Sequence, residues 1–479
     1  MNVLKILLFL TVSITTSCAQ QTPQQAVQSP KKTPQISFKI EGYTEGVAQL
    51  IGVYADANYL ADSAKIATDG SFQFVKPEGY FDGFFYVMLP DQTNFQVLVA
   101  NGEKGIIRAK RGDILNTLQV EQSLENKLFY ENQRFQMGLE QRFNAVAAEM
   151  KKSMPGSPKL DSLRAVQQNL LKEREGILTD LKEKYPNAFF TKFKLAGQNP
   201  KYRFVYLPNG SMDSIETMNN YRDDWWIGFD FSEDRLARTP VFLNKLKKYM
   251  TELTVQSPEM VVKSATNIID KTLQNKELFK VAANWITYNN KPMVSKMMDC
   301  DAVYAQLVLK YFTLENAANL GVSPEDINSM RQTANGMLPS FVGKVGQDVA
   351  AQDKNKQTKS IYGLKSLITV VFIYNPDCDH CQEQTPKLRE VYDKWKSKGI
   401  EVFSIVANAK DRTEWQNFSQ KYGINWTDVW DTSNQFVQKY YVDNTPEMYV
   451  LDKNHIIVAK NLKAHQLPEV FERELAKLK

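Results

Sequence analysis

Cysteine and histidine are scarce in this sequence: 479 residues carry four cysteines and three histidines. That scarcity excludes a disulfide-stapled scaffold and leaves little material for a histidine-based catalytic system. An excess of one charge is missing too. The 59 basic and 54 acidic residues nearly cancel, giving a net charge of +5. No basic stripe with interleaved aromatics marks a nucleic-acid footprint, so no nucleic-acid partner is expected. The many lysines read as solvated helix faces. No glycine-rich phosphate loop, His-Glu-x-x-His or Gly-x-Ser-x-Gly occurs, and nothing calls for a cofactor. No hydrophobic run reaches transmembrane length.

What is present begins with a leader. Met1-Asn2-Val3-Leu4-Lys5 supplies a short positive start, an apolar run reaches Val12, and Ser13 to Cys18 form a small-residue cleavage zone. Residues 1–19 therefore read as a targeting peptide. Two cleavages compete. Thr16-Ser17-Cys18 resembles a lipobox, in which Cys18 becomes the lipidated first residue, whereas Ser17-Cys18-Ala19 suits ordinary cleavage before Gln20. Thr15 stands where a lipobox prefers leucine, yet a lone cysteine closing such a leader has no other evident use. Lipidation at Cys18 is the expectation. Residues 20–34, rich in proline and glutamine, follow as a flexible tether. No acidic run follows Cys18, which favours a membrane-anchored, periplasm-facing protein.

The rest of the chain divides by pattern into three domains. Over residues 35–120, short strands such as Ile36–Gly42, Ala48–Tyr54, Ser71–Val75, Phe84–Leu89, Gln96–Val99 and Gly105–Ala109 alternate with turn signals at Asp69-Gly70, Pro90-Asp91 and Asn101-Gly102. That rhythm predicts an all-β sandwich. The aromatics Tyr80, Phe81, Phe84, Phe85 and Tyr86 suit its core better than a ligand face. Residues 121–337 read as an α-helical middle domain. Ser257-Pro258-Glu259 and Ser323-Pro324-Glu325 mark helix starts, each with a serine N-cap, proline at the first helical position and an acid in the first turn. Asp223-Asp224-Trp225-Trp226 interrupts the helical pattern; packing of the tryptophans is preferred to a partner pocket. Cys300 is an odd thiol, read as a small buried residue rather than a regulatory one.

Residues 338–479 carry the chemistry. Ile368 to Tyr374 is an apolar, β-branched run that predicts a buried strand, and Leu388, Val391, Tyr392 and Trp395 lie at helical spacing just beyond. Between them sits Cys378-Asp379-His380-Cys381. Two cysteines three apart at a strand-to-helix turn put the first thiol at a helix N-terminus, where unpaired N–H groups favour a thiolate. The second lies one turn in, close enough to form a disulfide with it. A zinc site needs two more ligands, and Cys18, Cys300, His455 and His465 form no second pair, so no metal is expected.

This segment resembles the thioredoxin superfamily, and more closely its periplasmic TlpA/ResA-like thiol–disulfide oxidoreductases. The likeness rests on Asn375-Pro376-Asp377-Cys378-Asp379-His380-Cys381 after the strand, on Pro386 within the helix, and on Asn444-Thr445-Pro446-Glu447 before another strand. The long interval between Cys378 and Pro446 fits the element that TlpA-like members insert there. The resemblance implies an α/β thioredoxin-like fold, a cis Pro446 against the dithiol, and a Thr445 backbone that pairs with a substrate peptide. The N-terminal Asp69-Gly70-Ser71-Phe72 hairpin and the helical middle are similar to domains of Bacteroidota thioredoxin-like lipoproteins. Departures are specific. Asp377 replaces the tryptophan common before the first cysteine, Phe372 stands where minimal thioredoxins bury an acid, and Gln384 where TlpA/ResA-like proteins often have glutamate. The group that deprotonates Cys381 is open among Glu383, Asp377, Asp379 and water.

The implied activity is thiol–disulfide exchange on protein disulfides, with Cys378 attacking and Cys381 resolving. Asp379 and His380 are expected to tune the pair to an intermediate potential. By family resemblance the electron donor is a membrane dithiol relay. Two rivals remain. A thiol peroxidase requires threonine three residues before its reactive cysteine, where this chain has Asn375. A binding or scaffold lipoprotein, with the dithiol as accessory, uses the two larger domains instead.

Overall fold

The computed structural model describes residues 35–478, apart from Asn101 and Met293. The leader, Cys18 and the tether lie outside the described residues.

The first part of the chain forms two four-stranded sheets. One runs Ser71–Gln73, Gln35–Glu41, Lys104–Lys110, Gln119–Glu121; the other runs Ala57–Lys65, Val47–Tyr54, Gly83–Met88, Asn94–Val99. Side chains from both, including Phe38, Leu50, Phe72, Val87, Phe95 and Ile107, meet in one core. Period-two burial explains why most of these strands are visible in sequence. The strand Ala57–Lys65 was not anticipated. It has no buried residue, so it carries no apolar alternation, and it exists by pairing along Val47–Tyr54. Of the five aromatics, Tyr80, Phe84 and Phe85 are buried, while Phe81 is exposed beneath the Arg238 guanidinium.

Helices follow from Leu124 to Met337. Ser257 and Ser323 cap their helices as expected, their side chains accepting from the Met260 and Asp326 N–H groups. The same Ser/Thr-Pro start recurs at Ser157-Pro158 and Thr239-Pro240. The first long helix is fastened to the sheets by Asn126, which accepts from Leu98 N–H at 2.9 Å and donates to Leu98 O at 2.8 Å. Its neighbour Glu125 accepts from the N–H groups of Phe189 and Phe190, satisfying the start of another helix. Trp225 and Trp226 are buried in the helical core, and the Trp225 indole donates to Lys245 O. They pack rather than line a pocket. No helix of the described residues is long and apolar enough to cross a membrane.

The C-terminal part is a seven-stranded sheet in the order Thr358–Ser360, Ala350–Asp353, Thr427–Trp430, Ile400–Val406, Ile368–Tyr374, Glu447–Asp452, Ile457–Lys460. Ile368–Tyr374 is central and wholly buried, parallel to Ile400–Val406 and antiparallel to Glu447–Asp452. Complete burial on both faces accounts for its almost wholly apolar run, with Thr369 the one exception. The thioredoxin-like arrangement places Cys378 at the end of this strand and Pro446 at the start of its antiparallel neighbour. The short strands Ala350–Asp353 and Thr358–Ser360 gave no sequence signal, being three or four residues long with almost no buried apolar face.

Candidate active site

Cys378 is the N-cap of the helix Asp379–Trp395, and its sulfur accepts from the Cys381 N–H at 3.4 Å. The turn that delivers it is closed by Cys378 N–H donating to Asn375 O at 3.1 Å and by Asp377 N–H donating to Asn375 Oδ1 at 3.0 Å. A thiol in this position replaces the usual serine or aspartate cap, so a negative sulfur satisfies donors the helix cannot satisfy itself. Partial burial opposes ionisation of Cys378. Hydrogen bonding from the Cys381 thiol and N–H, the Thr445 side chain and the His380 N–H outweighs it and lowers the thiol pKa.

Cys381 is fully buried, and Asn375 N–H points at its sulfur from 3.4 Å. Burial pushes its thiol up to about 12. Both sulfurs are thiols here, so this is the dithiol form. The pair is asymmetric: one accessible thiol inclined to ionise, one enclosed thiol that holds its proton.

Opposite them, the Thr445–Pro446 peptide is cis, and the Cys378 thiol donates to the Thr445 carbonyl at 3.2 Å. Thus Cys378, Cys381, Thr445 and Pro446, 68 residues apart at the extremes in sequence, form one cluster at the ends of two adjacent strands.

The charged neighbours stand differently. Asp379 and His380 are exposed, and the His380 imidazole, 82 % exposed, lies 3.9 Å from Glu383. What His380 offers Cys378 is its backbone N–H. Asp377 pairs with Lys410 at 2.7 Å and Glu383 with Lys387 at 2.6 Å, both in solvent. Gln384 is buried and accepts from Ala464 N–H at 3.0 Å, a structural role. None of the three acids considered for Cys381 hydrogen-bonds its sulfur among the described residues.

Sequence reasoning missed two acids. Asp428, buried, accepts from Ser404 Oγ at 2.6 Å, Trp415 Nε1 at 2.7 Å and the Tyr374 hydroxyl at 3.1 and 3.2 Å. Burial pushes its carboxyl up to about 6 despite these donors. The available signal was the cluster of polar-tipped aromatics, each needing a partner once buried. Glu447, next to Pro446, is partly buried, and burial raises its carboxyl to about 8. Cys300 is buried, with burial and then the adjacent Asp301 raising its thiol to about 12.

The AhpC/TSA family matches residues 342–460. Thiol-disulfide oxidoreductase ResA of Bacillus thuringiensis subsp. konkukian is 23% identical over 179 residues, which is 37% of this chain and 90% of ResA. Among solved structures, a domain of a possible thiol-disulfide isomerase from Cytophaga hutchinsonii is 31% identical, with a TM-score of 0.28, covering 29% of this chain and 97% of that one. A thioredoxin-like protein from Bacteroides caccae is 15% identical, with a TM-score of 0.45, covering 57% of this chain and 99% of that one.

Proposed function

We propose that this chain, whose C-terminal part is a thioredoxin-like AhpC/TSA-family domain with thiol–disulfide oxidoreductase relatives, is a periplasm-facing oxidoreductase acting on protein disulfides. The observation that carries the reading is the asymmetry of the dithiol. Cys378 has a lowered thiol pKa beside the Thr445 carbonyl, and Cys381 is enclosed one helical turn away.

In this reading the Cys378 thiolate attacks one sulfur of a substrate disulfide, forming a mixed disulfide and expelling the other substrate sulfur as a thiolate. Cys381 then loses its proton and attacks the Cys378 sulfur. The second substrate thiolate leaves, the substrate has gained two electrons, and Cys378 and Cys381 are joined as a disulfide. Thr445 and Pro446 receive the substrate backbone, and a membrane dithiol relay returns the chain to the reduced form. Residues 35–120 act as a β-sandwich and 121–337 as a helical domain, held to the membrane through a lipid on Cys18 and the tether 20–34.

Insulin-disulfide reduction by the full chain tests the chemistry. Cys378→Ser should abolish it, and Cys381→Ser should accumulate mixed disulfides whose captured partners can be identified. Adducts on Cys378→Ser with normal turnover by Cys381→Ser would reverse the roles. Peroxide consumption without insulin reduction would favour a peroxidase. Membrane fractionation tests the anchor: wild type should sediment with membranes and Cys18→Ala should not be lipidated, whereas a soluble mature protein beginning at Gln20 excludes lipidation.

A further inference from the structure

The ammonium of Lys460 is completely buried at the end of the strand Ile457–Lys460, and its counter-charges come from the helical region. Lys460 Nζ donates to Asp301 Oδ2 at 2.5 Å and to Ser340 Oγ at 3.3 Å, with Asp299 Oδ1 3.9 Å away. Asp299 and Asp301 flank Cys300 at the start of the helix Cys300–Tyr311, and their side chains are 4 % and 6 % exposed. A lysine this deeply enclosed is tolerated only when paired and hydrogen-bonded.

From this pair a series of contacts runs by way of Tyr449 and Glu447 to the dithiol. Lys460 sits opposite Tyr449 in the antiparallel register, its ammonium over the Tyr449 ring at 5.3 Å. The Tyr449 hydroxyl lies 2.6 Å from Glu447 Oε2 and 2.5 Å from the Tyr440 carbonyl. Glu447 adjoins Pro446 on one strand end, and the preceding Thr445 carbonyl meets Cys378 at 3.2 Å. Asp299 Oδ2 also accepts from Val342 N–H at 2.9 Å, fastening the entry of the C-terminal part to the same point.

We infer that Asp301 is a positioning residue of the redox site: through Lys460 and Tyr449 it fixes the strand end that holds Thr445 against Cys378. The inference rests on the oxidoreductase reading and gives the helical region a part in it. The charged and titratable groups around the ammonium and its acids include Asp299, Asp301, Cys300, Glu447 and Tyr449, with Tyr441 and Asp443 beside them. A shift of Thr445 by a few tenths of an ångström changes both the contacts of the Cys378 sulfur, with the Thr445 carbonyl that accepts from it and the Thr445 side chain, and the edge offered to a peptide.

The test uses the full chain with Asp301→Asn and, independently, Tyr449→Phe, which deletes a single hydroxyl. The pH profile of Cys378 alkylation by iodoacetamide reads the thiol without a protein substrate, and insulin reduction reads turnover. Asp301→Asn should displace the alkylation midpoint from the parent value and lower kcat/KM for insulin about tenfold, mainly through KM. Tyr449→Phe should move both in the same direction by less. Alkylation profiles that superimpose on the parent in a folded Asp301→Asn, or in Tyr449→Phe should the first variant not fold, would reduce the pair to a structural bond. Failure of the oxidoreductase reading is separate: it would appear as insulin reduction surviving Cys378→Ser.

Discussion

The Tyr374 hydroxyl donates to the Asp428 carboxylate, whose two oxygens lie at 3.1 and 3.2 Å, joining the strand that leads to the dithiol to a buried acid two strands away. Neutral donors surround Asp428, yet burial still raises its carboxyl from 3.8 to about 6. A carboxyl that binds its proton more tightly in the fold stabilises the fold most below its unfolded pKa. That contribution is lost as pH rises through about 6. Asp428→Asn should therefore flatten the decline in melting temperature between about pH 4 and pH 6. Parallel melting curves for parent and variant would show that Asp428 titrates normally. Tyr374→Phe, which strips one donor from a buried acceptor, should cost about 1–3 kcal/mol, read by urea denaturation.

Glu447 gives a second pH signature at a higher range. The Tyr449 hydroxyl faces both the Tyr440 carbonyl and Glu447, and its single proton cannot serve both. A protonated Glu447 donating to Tyr449 completes the set, in keeping with a carboxyl raised by burial to about 8. Its stabilising effect is fully present below the unfolded value near 4.5 and fades as pH rises through about 8. Glu447→Gln should preserve stability at pH 8.5 relative to pH 6 better than the parent does, in a calorimetric comparison. Equal losses in both proteins would place the charge elsewhere.

The His380 side chain stands in solvent while its N–H serves the Cys378 sulfur. His380→Pro removes that N–H and should make the pair more reducing by about 30 mV, equivalent to about 1.4 kcal/mol for two electrons. His380→Ala keeps the N–H and should move the potential much less. Equilibration of the full chain with glutathione buffers measures both. A larger shift in the alanine variant would return the tuning to the imidazole.

Thiol reactivity should separate cleanly. At pH 7.5 a limiting dose of iodoacetamide should label Cys378 alone, because burial raises Cys300 and Cys381 to about 12. Both should become reactive in urea. Peptide mapping reads the sites, and native labelling of Cys300 would contradict its enclosure.

The dithiol and its helix were legible in sequence because they depend on local spacing, a buried strand followed by a cap position, whereas Thr445-Pro446 was reached only through the family resemblance. The serine-proline helix starts were legible for the same reason. Strands Ala57–Lys65 and Thr358–Ser360 were not, since edge strands with no buried face leave no periodicity. The acids escaped because burial of a carboxylate is decided by tertiary partners. Asp428 draws its donors from Tyr374, Ser404 and Trp415, which no single window of sequence contains. Phe372, where minimal thioredoxins bury an acid, is buried and stacks on Tyr374.

The burial of Lys460 has a practical corollary for anyone dissecting this chain. A fragment beginning after Met337 keeps the ammonium but discards Asp299 and Asp301, uncovering a cation shaped for a neighbour that is gone. Such a fragment inherits a sticky, acid-seeking socket on the sheet margin beside Tyr449 and Glu447. Recombining this module with another helical partner works only if that partner supplies a carboxylate at the same spot, which makes the seam a compatibility code between the two halves.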